Sequence, residues 1–203
     1  ALGTLTYPSL RGGGTYPNHW GHVHLDNRAY LCDYDNTTST ATTRGRGLIH
    51  WIRTTFSTTE GTGNDGSTYN DLDLPLGFLP VDIESWGTDI VIAAIQTTNS
   101  TLNQGKAALF FWDTISPSFS QIVYLPDPLV TALKNVNGVL NIFSGAVSTG
   151  TDISNGYRVS AYVGGNRVEQ VYYSNVGSPP LAGAVESFGD RVAWGTFEQI
   201  PTT

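Results

Sequence analysis

Apolar positions along this chain come in short runs broken by tight polar turns, and three of the runs share one layout. An apolar residue is followed three positions later by a second one, then by a Gly-containing turn, then by an apolar strand-sized stretch. The pairs are Ile83 and Trp86, Leu133 and Val136, and Val185 and Phe188. The turns are GTD, NGV and GDR, and the stretches after them are IVIAAI, LNIFSG and VAWGTF. The second members, Trp86, Val136 and Phe188, lie 50 and 52 positions apart. A looser copy at HVHLDNRAYLCDY places Leu25 in the same position. Runs of this length with period-two character predict strands, and a fixed period predicts a repeat architecture.

The content between copies also matches. After Trp86 come TDIVIAAIQ, KAALFFWD and FSQIVYLP; after Val136 come GVLNIFSGAV, NGYRVSAYVGG and NRVEQVYYSN. The GGN between YRVSAYV and RVEQVYY reads as a hairpin turn. Each unit is therefore expected to be four short strands in an up-and-down meander of about 50 residues. PDPLVTALKN is the one ambiguous segment. Asp127 and Pro128 would suit the start of a helical turn over 127–134, but its counterparts PVDIESW and PLAGAVESF carry no helical apolar face, and strand is preferred.

Composition agrees with an all-β chain. Charged residues are 13% of the total, so Thr, Ser, Asn and 23 Gly supply the polarity. The net charge is −7, the lysines are Lys106 and Lys134, and Arg44 and Arg46 form the one close arginine pair. No basic stripe is present, which argues against direct nucleic-acid binding. No apolar run approaches the roughly 18 residues of a membrane helix. Cys32 has no partner for an intrachain disulfide and sits in the apolar run AYLCDY, where a buried thiol is expected.

Four-stranded units at this period resemble β-propeller blades. A blade has two apolar faces and hides them by stacking on its neighbours. The resemblance implies an all-β, β-propeller-like array of four-stranded antiparallel blades, about three and a half of them, with a β-sandwich as the alternative. The expected division is an N-terminal arm or closing strand over 1–21, blades near 22–79, 80–127 and 128–179, and a partial blade over 180–203. Trp86, Val136 and Phe188 are then expected to anchor adjacent blades. In VESFGDRVAWGTF, Val192–Phe197 reads as the first strand of the last blade. That blade is expected to be completed by another segment or chain. With no Met and a start at Ala1, the chain reads as a mature product or a section of a longer polypeptide.

Candidate chemistry is sparse. In NHWGHVHLD, residues His19, His22, His24 and Asp26 stand close together. On a strand, His22, His24 and Asp26 would share a face, and imidazoles with a carboxylate suit a transition metal ion. No cofactor beyond such a metal at His19, His22 and His24 is expected. DYDN, from Asp33 to Asn36, lacks the Gly and Glu of a calcium loop. TGNDGSTY resembles the Asp-box hairpin of sialidase-like propellers, through Thr62, Asn64, Gly66, Thr68 and Tyr69, with Asn64 in place of the Asp; such boxes are structural. Trp112-Asp113 resembles the dipeptide of WD repeats, without that family's Gly-His signature. Glu84 and Glu186 occupy equivalent repeat positions, which points to a structural placement. No catalytic constellation is legible, so the chain is not expected to be an enzyme.

In style the chain resembles propeller domains of bacteriophage tail hub or nozzle proteins: Thr-, Asn- and Gly-rich, Lys-poor and β-dominated. That resemblance implies a virion structural protein acting as a rigid protein–protein scaffold. Its partners would be other virion proteins or copies of itself in an oligomer, with no direct nucleic-acid and no membrane partner. The alternative is a secreted, extracellular carbohydrate-binding or glycoside-hydrolase-like propeller, with a glycan as ligand.

Overall fold

Every run with period-two alternation forms a strand in the computed structural model, which describes residues 21–26, 28–35, 46–53, 71–96, 106–145, 156–177 and 179–196. The strands are β1 (His22–Leu25), β2 (Arg28–Asp35), β3 (Arg46–Arg53), β4 (Asp71–Asp73), β5 (Phe78–Trp86), β6 (Asp89–Gln96), β7 (Ala107–Trp112), β8 (Gln121–Tyr124), β9 (Leu129–Val136), β10 (Val139–Gly145), β11 (Tyr157–Gly164), β12 (Arg167–Ser174), β13 (Val185–Phe188) and β14 (Arg191–Trp194). A single 3₁₀ turn, Ala182–Ala184, precedes β13. The ambiguous segment after Asp127 is strand β9.

Strands pair antiparallel in chain order. Sheet 1 runs β1-β2-β3-β4, sheet 2 runs β5-β6-β7-β8, sheet 3 runs β9-β10-β11-β12, and sheet 4 is the pair β13-β14. The fold is therefore all-β, built from four-stranded meanders and one two-stranded unit. One expectation is corrected here. The first strand of the last unit is Val185–Phe188, and Val192 lies in its second strand. The apolar pair Val185 and Phe188 spans a strand in the same way as Ile83 to Trp86 does in β5.

The repeat is kept in backbone detail. The β5–β6 register skips Val81 between Pro80 and Asp82. The β9–β10 register skips Thr131, between the Val130–Ser144 and Ala132–Phe143 pairs, so both first strands carry a bulge at the equivalent place. Pro80 is tolerated because β5 is an edge strand and the bulge lies beside it. The hairpin turns after β5, β9 and β13 use positive φ: Gly87, Asn137 with Gly138, and Gly189. Asn-Gly at 137–138 has both residues in that region, as a type I′ turn demands.

Alternation distributes the side chains into three seams. Ile90, Ile92, Ala94, Ala108, Phe110 and Trp112 face sheet 1, where Tyr30, Cys32, Ile49 and Leu72 meet them. Val91, Ala93, Ile95, Ala107, Leu109 and Phe111 face sheet 3 and pack with Val130, Leu133, Leu140, Ile142 and Tyr162. β6 and β7 are thus covered on both faces, which is why they read as unbroken apolar runs. The third seam joins sheets 3 and 4 through Ala132, Phe143, Tyr157, Val159 and Val185, with Val192 and Trp194 at its margin. Sheet 1 approaches sheet 2 backbone to backbone. A Cβ on Gly47 would collide with the Phe78 carbonyl oxygen, and one on Gly21 would lie 2.5 Å from the Asp82 Cα. Only glycine permits that approach.

Tyr30 is fully buried in the first seam, against Trp51 and Trp112, and its hydroxyl has no hydrogen-bond partner among the described residues. A buried hydroxyl without a partner costs about 1–3 kcal/mol of desolvation. Tyr30→Phe is therefore expected to leave stability unchanged or raise it by about 1 kcal/mol. Thermal or urea unfolding measures this, and a clear loss would show that the hydroxyl has a partner.

Candidate functional site: the polar clasp on the first strands

Polar groups converge where the first strands of successive sheets meet. The bulge in β5 turns Asp82 toward sheet 3, where its Oδ2 accepts the Leu133 backbone N–H at 2.7 Å. Its Oδ1 accepts the N–H of Ile83 at 2.9 Å. Burial pushes the Asp82 carboxyl up from its ordinary value to about 7; the two N–H donors and Lys134 oppose that shift, and Glu84 adds to it. Both oxygens are engaged by backbone donors, so Asp82 acts as a staple between β5 and β9.

The next position in the repeat carries alternating charge. Lys134 Nζ lies 3.0 Å from Glu186 Oε1 and 3.9 Å from Glu84 Oε2, so one ammonium reaches the equivalent carboxylate on each side. The two glutamates also share local geometry, since Glu84 accepts from the Ser85 N–H and Glu186 from the Ser187 N–H. Those contacts hold the exposed Glu186 carboxyl below the usual glutamate range, the Ser187 N–H contributing most and Lys134 next. Glu186 is exposed, so its pair with Lys134 adds little to stability.

Uncharged bonds continue the clasp. Asn135 Nδ2 donates to the Ser85 carbonyl at 2.8 Å, and Thr131 Oγ1 donates to the Pro180 carbonyl at 2.6 Å. Trp86 Nε1 donates to the Gly138 carbonyl at 2.9 Å, while its ring meets Phe111 and Tyr162 edge-on at 5.8 and 5.2 Å. Trp86 thus sits between sheets 2 and 3, and Val136 is buried at the end of β9. Phe188 departs from the expectation. It is 79% exposed, because sheet 4 has no further sheet against it among the described residues. Trp86→Ala is expected to cost about 2–4 kcal/mol, and Phe188→Ala to stay within about 0.5 kcal/mol. Paired chemical denaturation curves test the contrast, and equal losses at the two positions would refute it.

The remaining sequence candidates are dispersed. His22 and His24 share one face of β1, with ring centroids 6.3 Å apart, but the strand ends at Leu25 and Asp26 sits in the following turn at φ 49°. Among the described residues no three His, Cys, Asp or Glu side chains are grouped to hold a metal ion. His19 and the Asp-box-like stretch Thr62, Asn64, Gly66, Thr68 and Tyr69 lie outside the described residues. Asp33 lies on β2, while Asn36 lies outside the described residues. Cys32 is buried. Asp113 of the Trp-Asp pair caps a turn, accepting first from the Ser116 hydroxyl and then from the N–H groups of Ser116 and Ile115, which lowers its carboxyl below the usual range. Among the described residues no helix is long and apolar enough to cross a membrane.

The clasp was only half visible in the sequence. Glu84 and Glu186 stand out at equivalent positions, and Lys134 occupies the same column between them. Asp82 has no counterpart in the repeat, since Ala132 stands there, and only the bulge shows where its side chain goes. No family model matches the chain, and no significant match was found among curated proteins or solved structures.

Proposed function

We propose that the stacked meanders are blades of a β-propeller-type array, and that the array serves as a rigid protein–protein scaffold within a virion tail or hub assembly. Its partners are other virion proteins or further copies of the chain. The observation carrying this reading is the double-sided burial of β6 and β7, the inner strands of sheet 2. β7 is buried along its whole length between two neighbours, and the polar groups that converge nearby are used to join the sheets. Stacking of this kind yields a stiff module, because close-packed protein interiors transmit displacement instead of absorbing it. Each oxygen of the buried Asp82 carboxyl accepts a backbone N–H, so this group has a structural use as a link between sheets 2 and 3.

Quantitative mass spectrometry and antibody labelling of purified particles test the proposal. The expected result is the chain at fixed stoichiometry in a tail structure. Absence from particles, together with saturable glycan binding that is lost on Tyr172→Ala or Tyr173→Ala, would replace the scaffold with a secreted carbohydrate-binding module. Both tyrosines lie exposed on β12, where such binding would place sugar rings.

A further inference from the structure

Asn followed by Gly is a chemically labile pair. Gly has no side chain to shield its nitrogen, which can therefore attack the carboxamide of the Asn before it. Such a pair stands at Asn137–Gly138, in the two-residue turn that joins β9 to β10, and both residues are exposed.

The fold holds that reaction back. φ is 52° at Asn137 and 83° at Gly138, the left-handed values of a type I′ turn. In such a turn the nitrogen of the second residue points away from the Cβ of the first, so attack requires the turn to open. The Gly138 N–H donates to Asn135 Oδ1 at 3.0 Å, which occupies the proton that the nucleophile must lose. The Gly138 carbonyl accepts from Trp86 Nε1 at 2.9 Å, and the Trp86 ring is seated against Phe111 and Tyr162. Asn135 in turn donates to the Ser85 carbonyl at 2.8 Å. A turn of sheet 3 is thus fastened to Ser85 and Trp86 of sheet 2.

We propose that Asn137 is a deamidation site which the seam between sheets 2 and 3 holds closed, and whose conversion loosens that seam. The chemistry needs only water and hydroxide. When the turn opens, hydroxide takes the Gly138 amide proton and the nitrogen attacks Asn137 Cγ. The Cγ–Nδ2 bond breaks, the amide gains a proton from water and leaves as ammonia, and a succinimide remains. Water then opens either succinimide carbonyl, giving aspartate or isoaspartate at 137. Aspartate keeps the turn, since Asp-Gly suits type I′ as Asn-Gly does. Isoaspartate adds a methylene to the main chain of a turn for which the Val136–Val139 pairing leaves only two residues. The Gly138 carbonyl then moves off Trp86, and one link between the sheets is lost. The same bonds lock the turn and join the sheets, so opening of the seam sets the rate and the product keeps it open. None of this depends on the scaffold reading.

The whole chain is aged at neutral and mildly alkaline pH beside a linear peptide of residues 131–142. Peptide mapping separates Asn137 from the second Asn-Gly pair, at 155–156. Asn137 in the chain is expected to convert roughly tenfold or more slowly than in the peptide, because two hydrogen bonds must break first. Asn135→Ala frees the Gly138 N–H and Trp86→Phe frees its carbonyl, and each should speed conversion roughly fivefold. Trp194→Phe removes a matching indole bond from the seam between sheets 3 and 4, where Trp194 Nε1 donates to the Tyr157 hydroxyl at 2.8 Å. That variant should leave the rate at Asn137 unchanged. Conversion at the peptide's rate, no acceleration in Asn135→Ala or Trp86→Phe, or equal acceleration in Trp194→Phe each overturns the proposal. The isoaspartate form, isolated by chromatography and identified by enzymatic isoaspartyl methylation, should unfold at lower urea than the parent, while Asn137→Asp should not. An isoaspartate form as stable as the parent overturns the loosening of the seam.

Discussion

Asp82→Ala is expected to destabilise the chain by about 2–4 kcal/mol, because it strands the buried N–H groups of Leu133 and Ile83. The loss is larger than a surface carboxylate could cause, since Asp82 is 6% exposed and joins two sheets. Its pH dependence has a definite sign. The folded carboxyl titrates near 7, above its ordinary 3.8, so the folded state holds a proton that the unfolded chain has released. The contribution is fully present below pH ~4 and is lost as pH rises toward 7 and past it, at up to about 1.4 kcal/mol per pH unit. Urea unfolding between pH 4 and 8 reads this slope. Asp82→Asn should flatten it, although the amide sets a donor against one of the two N–H groups and lowers stability throughout. A wild-type chain that gains stability from pH 4 to pH 7 and an Asn variant with an unchanged slope would both contradict the assignment. The lowered carboxyls of Asp113 and Glu186 act at a lower pH, their contribution being lost only as pH falls below the ordinary carboxylate range.

Phe110→Ala is expected to cost about 3–5 kcal/mol, the range for emptying a fully buried aromatic site. Phe110 has no exposed surface, meets Phe78 edge-on at 5.0 Å and Phe119 at 4.9 Å, and lies in the seam between sheets 1 and 2. Two sheets line the resulting cavity, so neither can collapse alone to fill it. The same loss should appear as faster proteolysis within sheets 1 and 2, measured by limited digestion with intact-mass readout. A variant that melts within about 1 kcal/mol of the parent would mean that the two sheets are not stacked through this residue. Under the proposed scaffold role stiffness would reside in the seams, and one aromatic truncation there should soften two sheets together.

Much of this architecture could be read from residue order alone. Period-two alternation, Gly and Asn-Gly turns and the spacing of Ile83–Trp86, Leu133–Val136 and Val185–Phe188 determined strands, hairpins and the repeat, because these depend on local sterics and on which residues must leave water. The unbroken apolar runs of β6 and β7 match their burial on both faces. Tertiary structure decided the rest. Whether Trp86 and Phe188, equivalent in sequence, are covered or bare depends on what lies across the seam, which no local pattern encodes. Asp82 becomes a staple only because a one-residue bulge turns it toward the Leu133 N–H of another sheet, 51 positions away. Lys134 meets Glu84 and Glu186 only because the first strands of three sheets come together. His22, His24 and Asp26 alternate correctly along the chain, yet the strand ends at Leu25, and the turn that follows takes Asp26 out of the pattern.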